Sequence, residues 1–343
     1  MLSRDPGNLG PASPTADRWR LLRDRGVELT IILASPRQNG GWEEPGLRVH
    51  TSGGHLSLMR FYRMYKLGKT LVQDVDLITS EDPLELGVVA WLLSRRGKKP
   101  FELQDHAGNF EDVDTCEPFW PLRRWIARFL LPRTRVVRTV NEQSFQRLQS
   151  VYHQPSYWLP IAPDQRFLDA SRGTVSDTVV CVARLVPVKR IDLLLRTFQL
   201  FHAKYPHARL MIVGDGLLKQ ELMQLTRRLG LSAFVVFTGS VDPLTILETA
   251  RIFVLLSTHE GWGVAAVEAA AVGVPVVMTP TGCGPWLAEQ GNAVLVQNTE
   301  PASIMADLEK AWTMRVHPLR TIKTRTQTAD EQISAWKKYG TTT

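Results

Sequence analysis

Cysteine is scarce in this chain: three in 343 residues, Cys116, Cys181 and Cys283, far apart in sequence. So sparse and odd a set gives no disulfide framework and fits a reducing, cytoplasmic setting. Long apolar runs are missing as well. The plainest, Leu86–Leu93 and Ile252–Leu256, fall far short of the ~20 residues a membrane-spanning helix needs. The opening MLSRDPGNLG lacks the apolar stretch of a secretory leader. No His-Glu-x-x-His, Cys-x-x-Cys or Gly-x-Ser-x-Gly occurs, so zinc chemistry and a serine-hydrolase elbow have no support. Gly68-Lys69-Thr70 ends like a phosphate-binding P-loop, but Arg63 stands where the motif needs its first glycine. Two Asp-x-Asp pairs, Asp74/Asp76 and Asp112/Asp114, have the chemistry to hold a divalent metal. Solvated loop charge is the simpler reading of both, and no metal site is expected.

What is present is an ordinary globular composition, 44% hydrophobic and 22% charged, with a formal charge of +7. The basic excess is spread over both halves rather than gathered in a tail, which argues against nucleic acid and suits anionic ligands or anionic membrane surfaces. Short apolar runs alternate with helical patterns along the whole chain. Val27–Leu33, Asp76–Thr79, Pro100–Gln104, Val136–Val140 and Tyr157–Pro160 read as strands of a first half. Thr178–Ala183, Arg209–Val213, Phe234–Thr238, Ile252–Leu256 and Pro275–Met278 read as strands of a second. Such alternation predicts parallel βαβ units. Small and polar residues at Asp169–Asp177 mark the break. The expected architecture is α/β: two doubly wound Rossmann-like domains, 1–172 and 173–318, across a cleft. One strand is doubtful. Only Met1 and Leu2 precede Ser3-Arg4-Asp5, so the opening strand is very short or absent, and the loop Asp5–Pro11 is a weak version of a glycine-rich turn.

Ligands of doubly wound sheets bind beyond the carboxyl ends of the strands, and the second half puts chemistry at those ends. Residues 256–279 read LSTHEGWGVAAVEAAAVGVPVVMT. Glu260 follows a strand. Gly261 and Gly263 allow close approach of a ligand to the backbone. The helix opening at Val264 aims free N–H groups and a positive dipole end at any phosphate there. Glu268, a turn further on, suits neutral hydroxyls such as those of a ribose. The second segment, ARLVPVKRIDLLL, carries Arg184 from the end of one strand and Lys189 from near the start of the next helix. A guanidinium fork and an ammonium suit a diphosphate, although two solvent-facing cations would fit that segment equally well. Gly214-Asp215-Gly216 follows a strand like a dinucleotide fingerprint, but its third glycine is missing, so a tight turn explains it too. His106, in QDHAGNF, is by itself more often a surface or satisfied histidine; with Gly108 and Asn109 beside it at a strand end the functional reading is as good.

As an ordered set, these residues resemble the group 1 (family 4) retaining glycosyltransferases of GT-B fold. The likeness rests on Glu260/Glu268 within HEGWGVAAVEAAAVGVPVV, on ARLVPVKRIDLLL, and on Gly214-Asp-Gly216, Phe237-Thr-Gly239 and Gly291-Asn-Ala-Val-Leu-Val in order. It covers 173–312 closely and 1–172 loosely, and it implies that 319–343, with the helix Glu331–Tyr339, crosses back to the first domain. Ala183 replaces the family's usual glycine, Arg190 follows Lys189 where glycine is common, and Trp262 stands for the usual phenylalanine.

The resemblance implies that Arg184 and Lys189 neutralise a donor diphosphate, Glu260 contacts the donor sugar and Glu268 the ribose. It also implies that the backbone of Gly261, Trp262, Gly263 and Val264 borders sugar and phosphate, Gly214 lies in the nucleotide site, and His106 faces the reacting centre. The implied reaction is metal-independent transfer of a hexose-type sugar, with retention, from a nucleotide-diphosphate sugar to a hydroxyl acceptor, lipid-linked ones included. The nucleotide sugar is a substrate; no cofactor is implied. The rivals are a nucleotide-sugar epimerase or phosphorylase on the same fold, and a catalytically silent sugar-nucleotide-binding subunit. Two basic, aromatic segments, Gly54–Thr70 and Pro118–Arg138, have the composition of peripheral membrane-binding helices at an anionic inner leaflet. Core-packed helices with a solvated basic face would read the same.

Overall fold

The computed structural model describes residues 1–4, 11, 13–36, 41–108, 110 and 120–340. The chain forms two compact units. One comprises Met1–Ile161 and the C-terminal helix, the other Ala162–Thr324. The loop at Asp5–Pro11, apart from Pro11, lies outside the described residues, as do Asn109, the Asp112/Asp114 pair and Cys116.

In chain order the first unit contains β1 (Leu2–Arg4), α1 (Pro14–Arg23), β2 (Leu29–Ala34), β3 (Trp42–Glu44), β4 (Leu47–Thr51), α2 (Ser57–Leu71) and β5 (Ile78–Ser80). It continues with α3 (Glu85–Gly97), β6 (Phe101–Asp105), α4 (Trp120–Leu130), β7 (Val136–Thr139), α5 (Glu142–Ser150) and β8 (Ser156–Trp158). Its eight strands run in the order β3-β4-β2-β1-β5-β6-β7-β8, parallel except for β3 at the edge. The doubtful opening strand exists and sits centrally: Leu2, Ser3 and Arg4 pair with Ile32, Leu33 and Ala34 on one side, and Leu2 pairs with Ser80 on the other. Three residues suffice because both neighbours supply the ladder. The β3–β4 hairpin, turned at Pro45-Gly46 with Gly46 at φ +75°, has no counterpart in the sequence expectation. Gly68-Lys69-Thr70 is helix interior, and Asp74 and Asp76 are exposed ahead of β5, away from the strand's carboxyl end.

The second unit contains α6 (Gln165–Asp169), β9 (Thr178–Val182), α7 (Ile191–Lys204), β10 (Arg209–Val213), α8 (Lys219–Arg228), β11 (Val235–Gly239), α9 (Leu244–Thr249) and β12 (Ile252–Leu255). Then come α10 (Val264–Val272), β13 (Val276–Met278), α11 (Gly284–Glu289), β14 (Ala293–Leu295) and α12 (Pro301–Thr313). Its sheet is parallel in the order β11-β10-β9-β12-β13-β14. Uninterrupted apolar strands such as Ile252–Leu255 are buried on both faces, as parallel strands require. Helix α7 buries Ile191, Leu194, Leu195, Phe198 and Phe201 at helical spacing, each large side chain stabilising by about 1.5–3 kcal/mol. Residues 162–172, placed with the first domain in the sequence analysis, go with this unit. Phe167 and Leu168 are buried, α6 packs on α10, and Arg172 donates to the carbonyls of Ala250 and Gly273.

The last helix, α13 (Arg325–Gly340), returns to the first unit. Ala329 and Ile333 join Trp19, Leu22, Ile31 and Val49 in a core on one face of the sheet, while α2, α3 and α4 cover the other face.

Candidate functional site

The second sheet reverses direction at β9: the chain moves outward to β10 and later comes back to β12 on β9's other side. The segments leaving β9 and β12 are therefore neighbours at the carboxyl end, where a doubly wound sheet leaves a crevice. After β9 the chain makes a single 3-10 turn, Pro187–Lys189, ended by Arg190 in the left-handed conformation at φ +49°. The Thr258 amide donates to the Val188 carbonyl at 2.9 Å, tying the two segments together.

Across that tie Lys189 Nζ meets Glu260 Oε1 at 2.5 Å. Ser257 Oγ donates to the same oxygen at 2.6 Å, and Thr279 Oγ1 holds the Ser257 carbonyl, also at 2.6 Å. The side chains of Lys189 and Glu260 are 14% and 9% exposed, so this is a largely desolvated pair. Oε1 takes both of these bonds; Oε2 has none among the described residues. Lys189 spends one of its three N–H bonds on Glu260. Arg184, by contrast, is exposed, and its guanidinium forms no hydrogen bond or ion pair with the described residues.

Helix α10 starts one turn beyond Glu260. Gly263 caps it at φ +86°, and its carbonyl accepts from Ala266 and Val267, while the Val264 and Ala265 amides have no acceptor among the described residues. Ala266, Ala269, Ala270 and Ala271 are buried, and the half-buried Glu268 is its one acid. The Trp262 indole stands in the core, 3% exposed with its ring centroid 5.7 Å from that of Trp286, and the Trp262 carbonyl accepts from Cys283. What Trp262 can offer a ligand is thus backbone, not ring.

Gly214 ends β10 at φ +135°, and a Cβ there would lie 2.0 Å from the Ala183 carbonyl oxygen. The glycine lets β10 end directly against the segment that carries Arg184. Gly214→Ala is expected to cost roughly 3 kcal/mol or more, from strain plus the backbone clash. A urea-unfolding midpoint within error of the parent would contradict it. Burial pushes the Cys181 thiol up to about 12 and raises Cys283 further, so neither supplies a thiolate near neutral pH.

His106 belongs to the first unit, just past β6. Its Nε2 lies 3.0 Å from Gln104 Oε1. Burial, and then the positive charges of Arg138 and Arg18, hold its pKa well below the usual imidazole range, so the ring is neutral at neutral pH. Four sequence-predicted residues, Arg184, Lys189, Glu260 and Gly214, thus fall on adjoining strand exits of one sheet, with α10 opening beside Glu260. Ser257 and Gln104 were not foreseen. Ser257 could have been read from its place three residues before Glu260; Gln104 has no signal beyond its strand position. Among the described residues no cluster of three or more His, Cys, Asp or Glu could hold a metal, and no helix is long and apolar enough to cross a membrane.

Residues 176–313 match the family model described as glycosyl transferases group 1, and the second unit is a domain of that family. An uncharacterised glycosyltransferase of Methanocaldococcus jannaschii is 35% identical over 45% of this chain and 35% of its own length. A GDP-mannose-dependent alpha-(1-6)-phosphatidylinositol monomannoside mannosyltransferase of Mycobacterium tuberculosis is 32% identical over 54% of each chain. The chain thus spans about half, or less, of these curated relatives. Among solved structures, sucrose-phosphate synthase from Thermosynechococcus elongatus aligns over 99% of this chain and 96% of its own, with a TM-score of 0.74 at 15% identity. Anabaena HepE in complex with UDP and glucose aligns over 98% and 95%, with a TM-score of 0.68 at 18% identity. At such identities the likeness establishes the fold, which is GT-B.

Proposed function

We propose that this protein is a retaining glycosyltransferase that moves a hexose-type sugar from a nucleotide-diphosphate sugar to a hydroxyl acceptor without a metal ion. The observation that carries the reading is the desolvated Lys189–Glu260 pair beside the opening of α10, with a free Arg184 on the same strand exit. As the glycosidic bond breaks, negative charge grows on the departing phosphate oxygen. Arg184, the two unspent N–H bonds of Lys189 and the amides of Val264 and Ala265 supply fixed positive charge for it. Oε2 of Glu260 is left to accept from a sugar hydroxyl, and the ribose falls to the Glu268 carboxylate. The named substrates of the relatives, GDP-mannose for one and UDP with glucose in the HepE complex, support a nucleotide-sugar donor.

Arg184→Ala tests this reading most cleanly, because the side chain holds nothing in the fold. It should weaken nucleoside-diphosphate binding by about 1.5–3 kcal/mol, the usual worth of a charge-assisted bond, leave nucleoside binding unchanged and leave the melting temperature where it was. Equal losses for nucleoside and diphosphate would sink the assignment. In a sugar-transfer assay a chelator should leave activity intact; loss restored by magnesium or manganese would overturn metal independence.

The first unit supports an acceptor near a membrane. Helices α2 and α4 both pack on α3 and expose Leu58 (83%), Tyr62 (66%) and Trp125 (62%) among basic residues. Binding to vesicles with anionic lipid should exceed binding to neutral vesicles several-fold and fall with salt. Equal recovery from both kinds of vesicle in a sedimentation assay would refute it.

A further inference from the structure

The first unit buries a polar chain around β6 that folding alone does not call for. Glu102 is fully buried and accepts from Thr79 Oγ1 at 2.6 Å, from Gln104 Nε2 at 3.0 Å, from Trp336 Nε1 of α13 at 3.0 Å, and from the Tyr157 hydroxyl. Arg138, 6% exposed, donates from Nη1 to Gln104 Oε1 and to Gln332 Oε1, each at 3.2 Å. Gln104, fully buried, lies between the two.

That placement leaves the Gln104 amide one orientation. A guanidinium can only donate, so the oxygen of Gln104 faces Arg138. Thr79 spends its single hydroxyl proton on Glu102, so it can only accept from Gln104 Nε2, at 2.7 Å. The nitrogen therefore faces Glu102 and Thr79. His106 Nε2 lies 3.0 Å from the fixed oxygen. Two acceptors share no hydrogen bond, and the amide oxygen carries no proton, so Nε2 must carry it.

We propose that Gln104 is a positioning residue: oriented by Arg138 and Glu102, it locks His106 in the Nε2–H tautomer and leaves Nδ1 as the ring's one acceptor, for a sugar hydroxyl of a bound substrate. The tautomer follows from the buried chain alone; the assignment to a sugar hydroxyl rests on the glycosyl-transfer reading above. A neutral ring suits the task. The cation would offer no lone pair, and burial together with Arg138 and Arg18 disfavours it.

The test is nitrogen-15 labelling of the eight histidines and long-range proton–nitrogen correlation spectra at neutral pH, with the His106 signals identified by their loss in His106→Gln. The expected pattern is a protonated Nε2 coupled to both ring carbon protons and an unprotonated Nδ1. An Nδ1–H ring or an imidazolium overturns the proposal without any further variant. Gln104→Leu should lose the single tautomer and average the two nitrogen shifts; a Gln104→Leu spectrum identical to the parent's removes Gln104 from the role. Gln104→Glu keeps an acceptor toward Nε2; two buried carboxyl groups 3.0 Å apart cannot both ionise, so the oxygen facing Glu102 takes up a proton and donates as the amide nitrogen did. The variant should therefore keep the parent pattern, which decides the matter if the leucine variant does not fold; a switch to Nδ1–H there overturns the assignment. In a sugar-transfer assay Gln104→Leu should lower kcat about tenfold while Gln104→Glu restores most of it. If the protein transfers no sugar at all, the glycosyl-transfer reading fails while the tautomer, read by the spectra, stands.

Discussion

Lys189→Ala is expected to destabilise the second unit by roughly 3–5 kcal/mol, because it strands the Glu260 carboxylate in a site where it is 9% exposed. The pair gains little from Coulomb attraction alone, since desolvating both ions opposes it. Its removal is costly because only half of it is removed. Ser257 still donates to Oε1, but a hydroxyl cannot replace an ammonium. The double variant Lys189→Met with Glu260→Gln should recover much of the loss, as no ion is then left buried alone. Equilibrium unfolding in urea measures all three. The coupling between the two positions should exceed ~1 kcal/mol, beyond what an exposed pair shows. A loss of under ~1 kcal/mol in Lys189→Ala would mean that the pair behaves as a solvated surface bridge, and that the site is open to water in a way its burial denies. Arg184→Ala serves as the control, being a cation on the same segment with no partner to strand.

The second unit was legible because its physics is local. Continuous apolar strands, an amphipathic α7 and glycines at the ends of helices all announce themselves within a few residues. The first unit was legible only in part. β1 has three residues, and its place is set by Ile32 on one side and Ser80 on the other, partners far along the chain. The β3–β4 hairpin has too few residues for a period to emerge. The site followed the same division. Arg184, Lys189, Glu260 and Gly214 could be picked out because each follows a strand. That Lys189 and Glu260 touch could not, since they are 71 residues apart and meet only because β9 and β12 are sheet neighbours. Gly214 looked like a turn glycine; its reason is the carbonyl of Ala183, a contact no pattern in GDG encodes. Trp262 was expected to border the ligand through its backbone, and its indole folds inward beside Trp286, a contact that the flanking glycines do not announce in the sequence.

Glu260→Gln and Glu268→Gln should separate along the donor. Glu260 lies at the end of β12 with Oε2 left over from its internal bonds, so its proposed partner is the sugar, whose position must be held while charge develops. Its loss should appear in the transition state: nucleoside-diphosphate affinity within about twofold of the parent, and kcat lower by about ten- to a hundredfold, the worth of a hydrogen bond to a charged group. The change also takes a charge from beside Lys189, which frees the ammonium toward phosphate, so any shift in diphosphate affinity should be toward tighter binding. Glu268 lies a turn into α10 as its one acid, and its proposed partner is the ribose, present in substrate and product alike. Glu268→Gln should therefore weaken free nucleotide about tenfold, raise the donor KM by a similar factor, and leave kcat nearly unchanged, the signature of uniform binding. Carboxamides preserve size, and the unfolding midpoints of both variants show whether stability intrudes. Calorimetry with nucleoside diphosphate, paired with steady-state kinetics, reads both at once. Equal loss of nucleotide affinity in the two variants, or full turnover in Glu260→Gln, would mean that the two glutamates do not divide sugar from ribose.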